Sequence, residues 1–223
     1  STDVITAAFT ATSALCVTGL ITVDTATYWT PFGQVVIISL IQVGGLGVMT
    51  FTTMLGILLS RRLGLSARLL TSAETKSGGG ARLVVARIVG TTLVIEGTAA
   101  TILFLRFLLH YDYSVGTALW HGVFHAVSAF NNAGFALYTL NVMDFSGDAV
   151  VLLTLSSCVI LGGLGFPVLA ELRRHIRLPH RWSMNTRLVL FATPLLLLCG
   201  TVFILVLEWS NPATLGSQSP AVK

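Results

Sequence analysis

Polar groups able to bind something stand out against the apolar background of this chain in two places. Residues 9–20 read FTATSALCVTGL and residues 124–135 read FHAVSAFNNAGF. Phe9, Ala11, Ser13, Ala14 and Gly19 recur as Phe124, Ala126, Ser128, Ala129 and Gly134, at a constant offset of 115. In both, an apolar run gives way to a short stretch with one glycine: Val17-Thr18-Gly19-Leu20, preceded by Cys16, and Asn132-Ala133-Gly134-Phe135, preceded by Asn131. Neither stretch holds a carboxylate. The chemistry on offer is that of main-chain carbonyl dipoles, because glycine accepts backbone angles that a side chain forbids and lets consecutive oxygens face one axis. A helix ending at the stretch adds the partial negative charge of its C-terminus. Oxygens arranged in this way replace the water around a cation and still release it, as in the selectivity filters of ion channels. Ordinary tight turns between half-helices are the competing reading, and the duplication weighs against it.

The elements that must hold these stretches are membrane helices. The 223-residue sequence is 54% hydrophobic and 10% charged, with a mean hydropathy of +0.84, against the roughly 25% charge of a soluble domain. Residues 25–60 carry no charge, and 32–59 would form one helix about 42 Å long, enough to cross a hydrocarbon core of about 30 Å. Further spans fall at 88–109, 149–170 and 188–207. The runs 2–15 and 117–130, about 14 residues each, are too short to cross and read as re-entrant segments. Arg61, Arg62, Arg68, Lys76, Arg82 and Arg87 lie between spans one and two; Arg173, Arg174, Arg177, Arg181 and Arg187 lie between spans three and four. These eleven of the 13 basic residues mark loops 61–87 and 172–187 as cytoplasmic. Asp24, Asp112, Asp144, Asp148 and Glu208 fall on the other side, which makes both re-entrant segments enter from outside. Nucleic-acid binding is not needed to explain the net charge of +4.

A second duplicated motif extends the repeat. QVGGLGVMT, residues 42–50, matches ILGGLGFPV, residues 160–168, at an offset of 118. The unit is therefore short helix, Gly-containing stretch, outer loop and long span, and the copies are parallel. The expected fold is an all-α integral membrane protein built from span–pore helix–span units of the potassium-channel kind. Its expected divisions are 1–60 (repeat 1), 61–87 (cytoplasmic loop), 88–171 (repeat 2), 172–187 (cytoplasmic loop), 188–209 (first span of repeat 3) and 210–223 (tail). The chain opens on Ser1 in mid-pattern, and a fragment of a longer protein is expected.

Other residues invite chemistry less strongly. His121 and His125 have the i, i+4 spacing of zinc sites, but no third ligand is near in sequence, and hydrogen bonding at the outer mouth is the simpler reading. Glu96 is an ionisable group inside a span, a functional hypothesis by default; a structural role, paired with Arg106 or a neighbouring span, is favoured. Asp24, Asp144 and Asp148 either concentrate cations at the mouth or sit in a solvated loop. Gly44, Gly45 and Gly47, with Gly162, Gly163 and Gly165, permit close helix packing or a bend near the pore. KSGGGAR, residues 76–82, lacks the order of a phosphate-binding loop and reads as flexible. Cys16, Cys158 and Cys199 have no metal or disulfide spacing, and no cofactor is expected.

TATSALCVTGL, IQVGGLGVMTF, IEGTAA and HAVSAFNNAGF together resemble the membrane subunit of the Trk/Ktr/HKT potassium transporters, most closely the bacterial Ktr type. The resemblance runs to about residue 215 and implies four span–pore–span repeats around one pore, of which this chain holds about two. It implies filters at Val17, Thr18, Gly19 and Leu20 and at Asn132, Ala133, Gly134 and Phe135. Gly19 and Gly134 are their key glycines, and Cys16 and Asn131 stand at the inner ends. It further implies potassium uptake through the plasma membrane, sodium as a possible activator, a homodimer and a cytoplasmic nucleotide-binding regulatory ring; the basic loops by themselves suit either membrane lipid of anionic kind or such a cytoplasmic partner. The third and fourth filters and the gate elements of the family are missing. Half a filter cannot ring an ion, so either the natural chain is longer or two copies close the ring.

Two other classes compete. A secondary transporter with discontinuous helices would couple sodium or proton to a solute, but it predicts inverted repeats, and these are parallel. An intramembrane hydrolase would need Ser13 or Ser128 with a base; His125 lies three residues from Ser128, whereas Ser13 has no His partner.

Overall fold

The computed structural model describes residues 3–60 and 80–211, and every regular element in them is helical. In chain order these are α1 (Val4–Leu15), α2 (Thr25–Tyr28), α3 (Pro31–Ser60), α4 (Gly80–His110), α5 (Val115–Phe130), α6 (Ala149–Leu164), α7 (Phe166–His175) and α8 (Met184–Glu208), with 3₁₀ turns at Met143–Phe145 and Pro179–Arg181. Among the described residues three stretches are long and apolar enough to cross a membrane, Pro31–Thr53, Leu83–His110 and Met184–Glu208, and the pair Ala149–Leu164 and Phe166–His175, bent by 96°, passes only when taken together. The two short apolar runs form α1, 12 residues, and α5, 16 residues. At about 1.5 Å per residue these reach only about 18 and 24 Å.

Helix limits depart from the sequence reading at three places. α4 begins at Gly80, inside the segment assigned to loop 61–87 and within KSGGGAR, whose first four residues lie outside the described ones, as do Arg61, Arg62 and Arg68. The span expected over 149–170 is interrupted: α6 stops at Leu164, and Gly165 adopts φ +79° before α7 starts. Pro167, which has no N–H to continue the ladder, sits in the first turn of α7 rather than inside a longer helix. Loop 172–187 is partly helical, since α7 runs to His175 and α8 starts at Met184.

The chain divides into two compact units, Ser1–Phe166 and Pro167–Lys223. In the first, α1 packs on α3 and keeps Val4, Ile5, Phe9 and Leu15 exposed, whereas α5 is enclosed by α4, α6 and α3. By contrast only 22% of the apolar window of α3 and 33% of that of α4 is buried, and side chains such as Val94 and Phe51 face outward. That distribution suits a lipid solvent, in which an apolar face needs no cover while polar backbone does. One buried cluster joins Leu103 and Phe107 of α4 with Phe130 of α5, Phe145 and Val151. A second joins Ala14, Ile37 and Ile41 with Phe124 and Phe135. Gly122 brings α5 close to α4: a Cβ there would stand 2.9 Å from the Ala100 carbonyl oxygen.

In the second unit Glu171 of α7 accepts bonds from the Ser183 amide (2.7 Å) and hydroxyl (2.7 Å) and from the Thr186 hydroxyl. The start of α8 is thereby fastened to α7. Trp182 Nε1 donates to the His175 carbonyl at 2.9 Å.

Candidate functional site

The two duplicated stretches fold alike, bond by bond. α1 ends at Leu15 and α5 at Phe130; the next residues, Cys16 and Asn131, keep near-helical angles and close their turns onto the Thr12 (2.8 Å) and Val127 (3.1 Å) carbonyls. The chain then swings into the left-handed region at Val17 (φ +55°) and Asn132 (φ +58°), and again at Gly19 (+73°) and Gly134 (+76°). A left-handed valine is costly for a β-branched residue. Here it is held by two bonds, Val17 N–H to the Ala14 carbonyl (3.2 Å) and Thr18 N–H to the Ser13 carbonyl (2.9 Å). Their counterparts are Asn132 to Ala129 (3.0 Å) and Ala133 to Ser128 (2.8 Å).

Ser13 and Ser128 brace the far end of each stretch. Ser13 Oγ donates to the Leu20 carbonyl at 2.8 Å and Ser128 Oγ to the Phe135 carbonyl at 2.6 Å. Both hydroxyls are engaged in holding backbone. Among the described residues no donor reaches the carbonyls of Val17, Thr18, Gly19, Asn132, Ala133 or Gly134. Leu20 and Phe135, each accepting one serine hydroxyl, keep a single lone pair on their oxygens.

The stretches also meet. A Cβ on Gly134 would lie 3.8 Å from Gly19 Cα, and one on Gly19 would overlap the Ala133 carbonyl oxygen. The glycine-rich helices close in behind them: a Cβ on Gly44 would overlap the Leu15 carbonyl oxygen, and one on Gly162 the Phe130 carbonyl oxygen. Leu15 and Phe130 are equivalent at the offset of 115, as Gly44 and Gly162 are at 118. Packing is therefore what these two glycines serve, while Gly165 marks a break. Beyond the turns Asp24 ties the two loops together by accepting from Thr139 Oγ1 at 2.7 Å.

The polar residues at α5 are each accounted for. Asn131 Nδ2 donates to the Val127 carbonyl (2.9 Å), Glu96 Oε1 (3.0 Å) and Gln42 Oε1 (3.2 Å). Glu96 thus pairs with Asn131; Arg106 instead binds Asp148 at 2.8 Å. The leucine-137 amide donates to His125 Nε2 at 3.2 Å, so His125 Nδ1 carries the proton and donates to the His121 carbonyl at 2.7 Å. With both nitrogens engaged, His125 has no lone pair for a metal, and His121 Nδ1 meets Tyr138 Oη at 2.8 Å. Among the described residues no group of three His, Cys, Asp or Glu gathers.

The three loop aspartates divide in the same way. Asp148 caps α6 by accepting from Val150 (3.0 Å) and Val151 (3.3 Å), and it accepts from Tyr111 Oη at 3.0 Å. Burial pushes its carboxyl up, but the bonds from Arg106, Tyr111 and Val151 outweigh that and hold it below the usual carboxylate range. Asp24 is held low as well, chiefly by Thr139 and the Ala26 amide. Asp144 is exposed. The two Ser braces, Gln42 and the Asn131–Glu96 bond are the residues that the sequence did not single out for these roles. Identical placement in both copies was the signal for Ser13 and Ser128.

Apolar helices long enough to cross a bilayer, together with short helices that end in polar turns, define an all-helical integral membrane protein. The chain belongs to the TrkH family of cation transport proteins, whose model matches residues 1–214. It is 42% identical over 214 residues to the Ktr system potassium uptake protein B of Bacillus subtilis, covering 95% of this chain and 47% of that protein. It is 41% identical to the protein of the same name from Vibrio alginolyticus, with the same coverage of 95% and 47%. With the potassium/sodium uptake protein NtpJ of Enterococcus hirae it shares 32% over 210 residues, 93% of this chain and 46% of that one. The chain spans about half the length of the curated relatives it matches.

Proposed function

We propose that this chain forms part of a potassium-uptake pore in the cell membrane, with Val17, Thr18, Gly19 and Leu20 and Asn132, Ala133, Gly134 and Phe135 as two filter strands. The observation that carries this reading is the adjacency of Gly19 and Gly134 in two turns of matching geometry, in which the carbonyls of Val17, Thr18, Gly19, Asn132, Ala133 and Gly134 meet no donor among the described residues. A dehydrated monovalent cation requires a ring of oxygens. Two neighbouring strands supply an arc of one, and in this reading further strands of the same kind close it. α1 and α5 act as pore helices, each directing its C-terminal dipole at the ion, and the repeated span–pore helix–span units are the scaffold. Cys16 and Asn131 stand one residue inside the strands and act on their geometry. The relatives' printed names include both potassium and potassium/sodium uptake, consistent with potassium as the transported ion and sodium as a competing or activating one. A homodimer and a nucleotide-binding regulatory ring on the basic cytoplasmic loops complete the proposal; no cofactor and no catalytic residue are assigned.

Gly19→Ala and Gly134→Ala test it. An alanine at these angles costs about 1–2 kcal/mol, and at Gly19 its Cβ would displace the Ala133 carbonyl. Potassium-dependent growth and rubidium uptake by the full-length protein should fall, and discrimination against sodium should fall roughly tenfold or more. Unchanged uptake and selectivity in both variants would refute the filter assignment.

A further inference from the structure

We propose that Glu96 is a positioning residue for selectivity, acting through Asn131 on the second strand. The inference rests on the filter reading and deepens it. Glu96 is 5% exposed in the middle of α4 and Asn131 is 7% exposed at the end of α5. An ionisable group at membrane depth is expensive to keep. Glu96 bonds to Asn131, the residue immediately before Asn132, where the strand begins, and also to the Gln42 side chain of α3. The arrangement is directional. Asn131 Nδ2 faces three acceptors from α3, α4 and α5, whereas Asn131 Oδ1 is buried with no donor. The reverse amide flip would set Oδ1 against the Glu96 carboxylate. That oxygen is instead packed on Gly45, where a Cβ would overlap it. Glu96 therefore selects one rotamer of Asn131, and α3 is contoured to receive it.

At the matching position of the first stretch stands Cys16, whose thiol cannot offer the two amide donors of Asn131. The two turns share their backbone bonds, and the second is pinned to α3 and α4 as well. Asn132, Ala133 and Gly134 follow directly from the pinned residue, so a rotation at Asn131 would turn their carbonyls off the axis. Glu96 acts as hydrogen-bond acceptor in this scheme, a role that glutamine fills equally well.

The test compares Glu96→Gln and Glu96→Leu with wild type and Gly134→Ala, in the full-length protein reconstituted in vesicles, reading rubidium influx and its inhibition by sodium. Glu96→Gln should stay within about threefold of the wild-type potassium-over-sodium ratio, and Glu96→Leu should lose roughly tenfold. Protein amount and monodispersity are normalised, since a purely structural role would lower yield and leave the ratio per molecule unchanged. Should Glu96→Leu fail to accumulate, Asn131→Asp replaces it. Alone, that change faces one carboxylate with another and should lower the ratio. Combined with Glu96→Gln it restores a donor–acceptor pair of reversed direction and should recover it. A wild-type ratio in Glu96→Leu, loss of the ratio in Glu96→Gln, or no recovery in the double variant overturns the proposal. If wild type is itself unselective, or Gly134→Ala unaltered, the filter reading is what fails.

Discussion

At the scale of single residues, the site is built from pairs that do the same work twice and from a few that do not. Ser13 and Ser128 sit at equal positions and make equal bonds, but their surroundings differ. Phe135 is 2% exposed, whereas Leu20 is 63% exposed. Ser128→Ala would strand a buried carbonyl with no donor, a loss of about 1–3 kcal/mol. Ser13→Ala leaves the Leu20 carbonyl open to solvent or to a neighbouring chain, so its effect should be about 1 kcal/mol or less. Thermal unfolding of the purified protein in detergent should rank the variants wild type, Ser13→Ala, Ser128→Ala in falling Tm. Equal shifts would mean that the two turns are equally enclosed in the intact protein. The serines were visible in the sequence as part of a repeated word, yet their hydroxyls were read as candidate nucleophiles. Only the closed turn reveals that they reach seven residues ahead.

At the scale of elements, α6 is held in place by the residue that precedes it. Asp148 caps the helix and joins it to α4 through Arg106 and to the loop through Tyr111. Because the folded carboxyl titrates below its unfolded value of about 3.9, its contribution is complete above that pH. It is lost as pH falls through the lower folded value. The wild-type protein should therefore lose Tm as pH is taken from about 5 to 3. Asp148→Asn should start lower at neutral pH and lack this component of the fall. A variant curve parallel to wild type over that range would place the acid sensitivity elsewhere. Long helices α3, α4 and α8 were legible because a predominantly apolar run of that length has one stable form in a membrane. The end of α6 was not, since residues 149–170 are apolar throughout and hydropathy averages over Gly165. The local signal was Gly165-Phe166-Pro167, a left-handed glycine followed by a residue without an N–H. Gln42, Glu96 and Asn131 were illegible as a group because 35 to 89 residues separate the bonded partners.

At the scale of the whole molecule, the distribution of charge makes a claim that the helices alone do not. Basic residues crowd the segments 61–87 and 172–187, and in the proposed orientation the positive-inside rule sets the connections between them outside. The connection from Asn131 to Asp148 then carries the outer mouth, and its exposed members include Asn141 and Asp144. Orientation follows from single-cysteine labelling in whole cells, after replacing Cys16 and Cys199, the exposed native thiols. Asp144→Cys should react with a membrane-impermeant maleimide added outside. Arg177→Cys should react only once the cells are opened. Asp112→Cys, between α4 and α5, should behave like position 144, since α5 is too short to carry the chain across. Protection of position 112 with labelling at 144 would make α5 a span and destroy the common sidedness of the two turns. Labelling at 112 and 144 and protection at 177 would leave both turns entering from the outer face, the arrangement in which Gly19 and Gly134 can serve one ion.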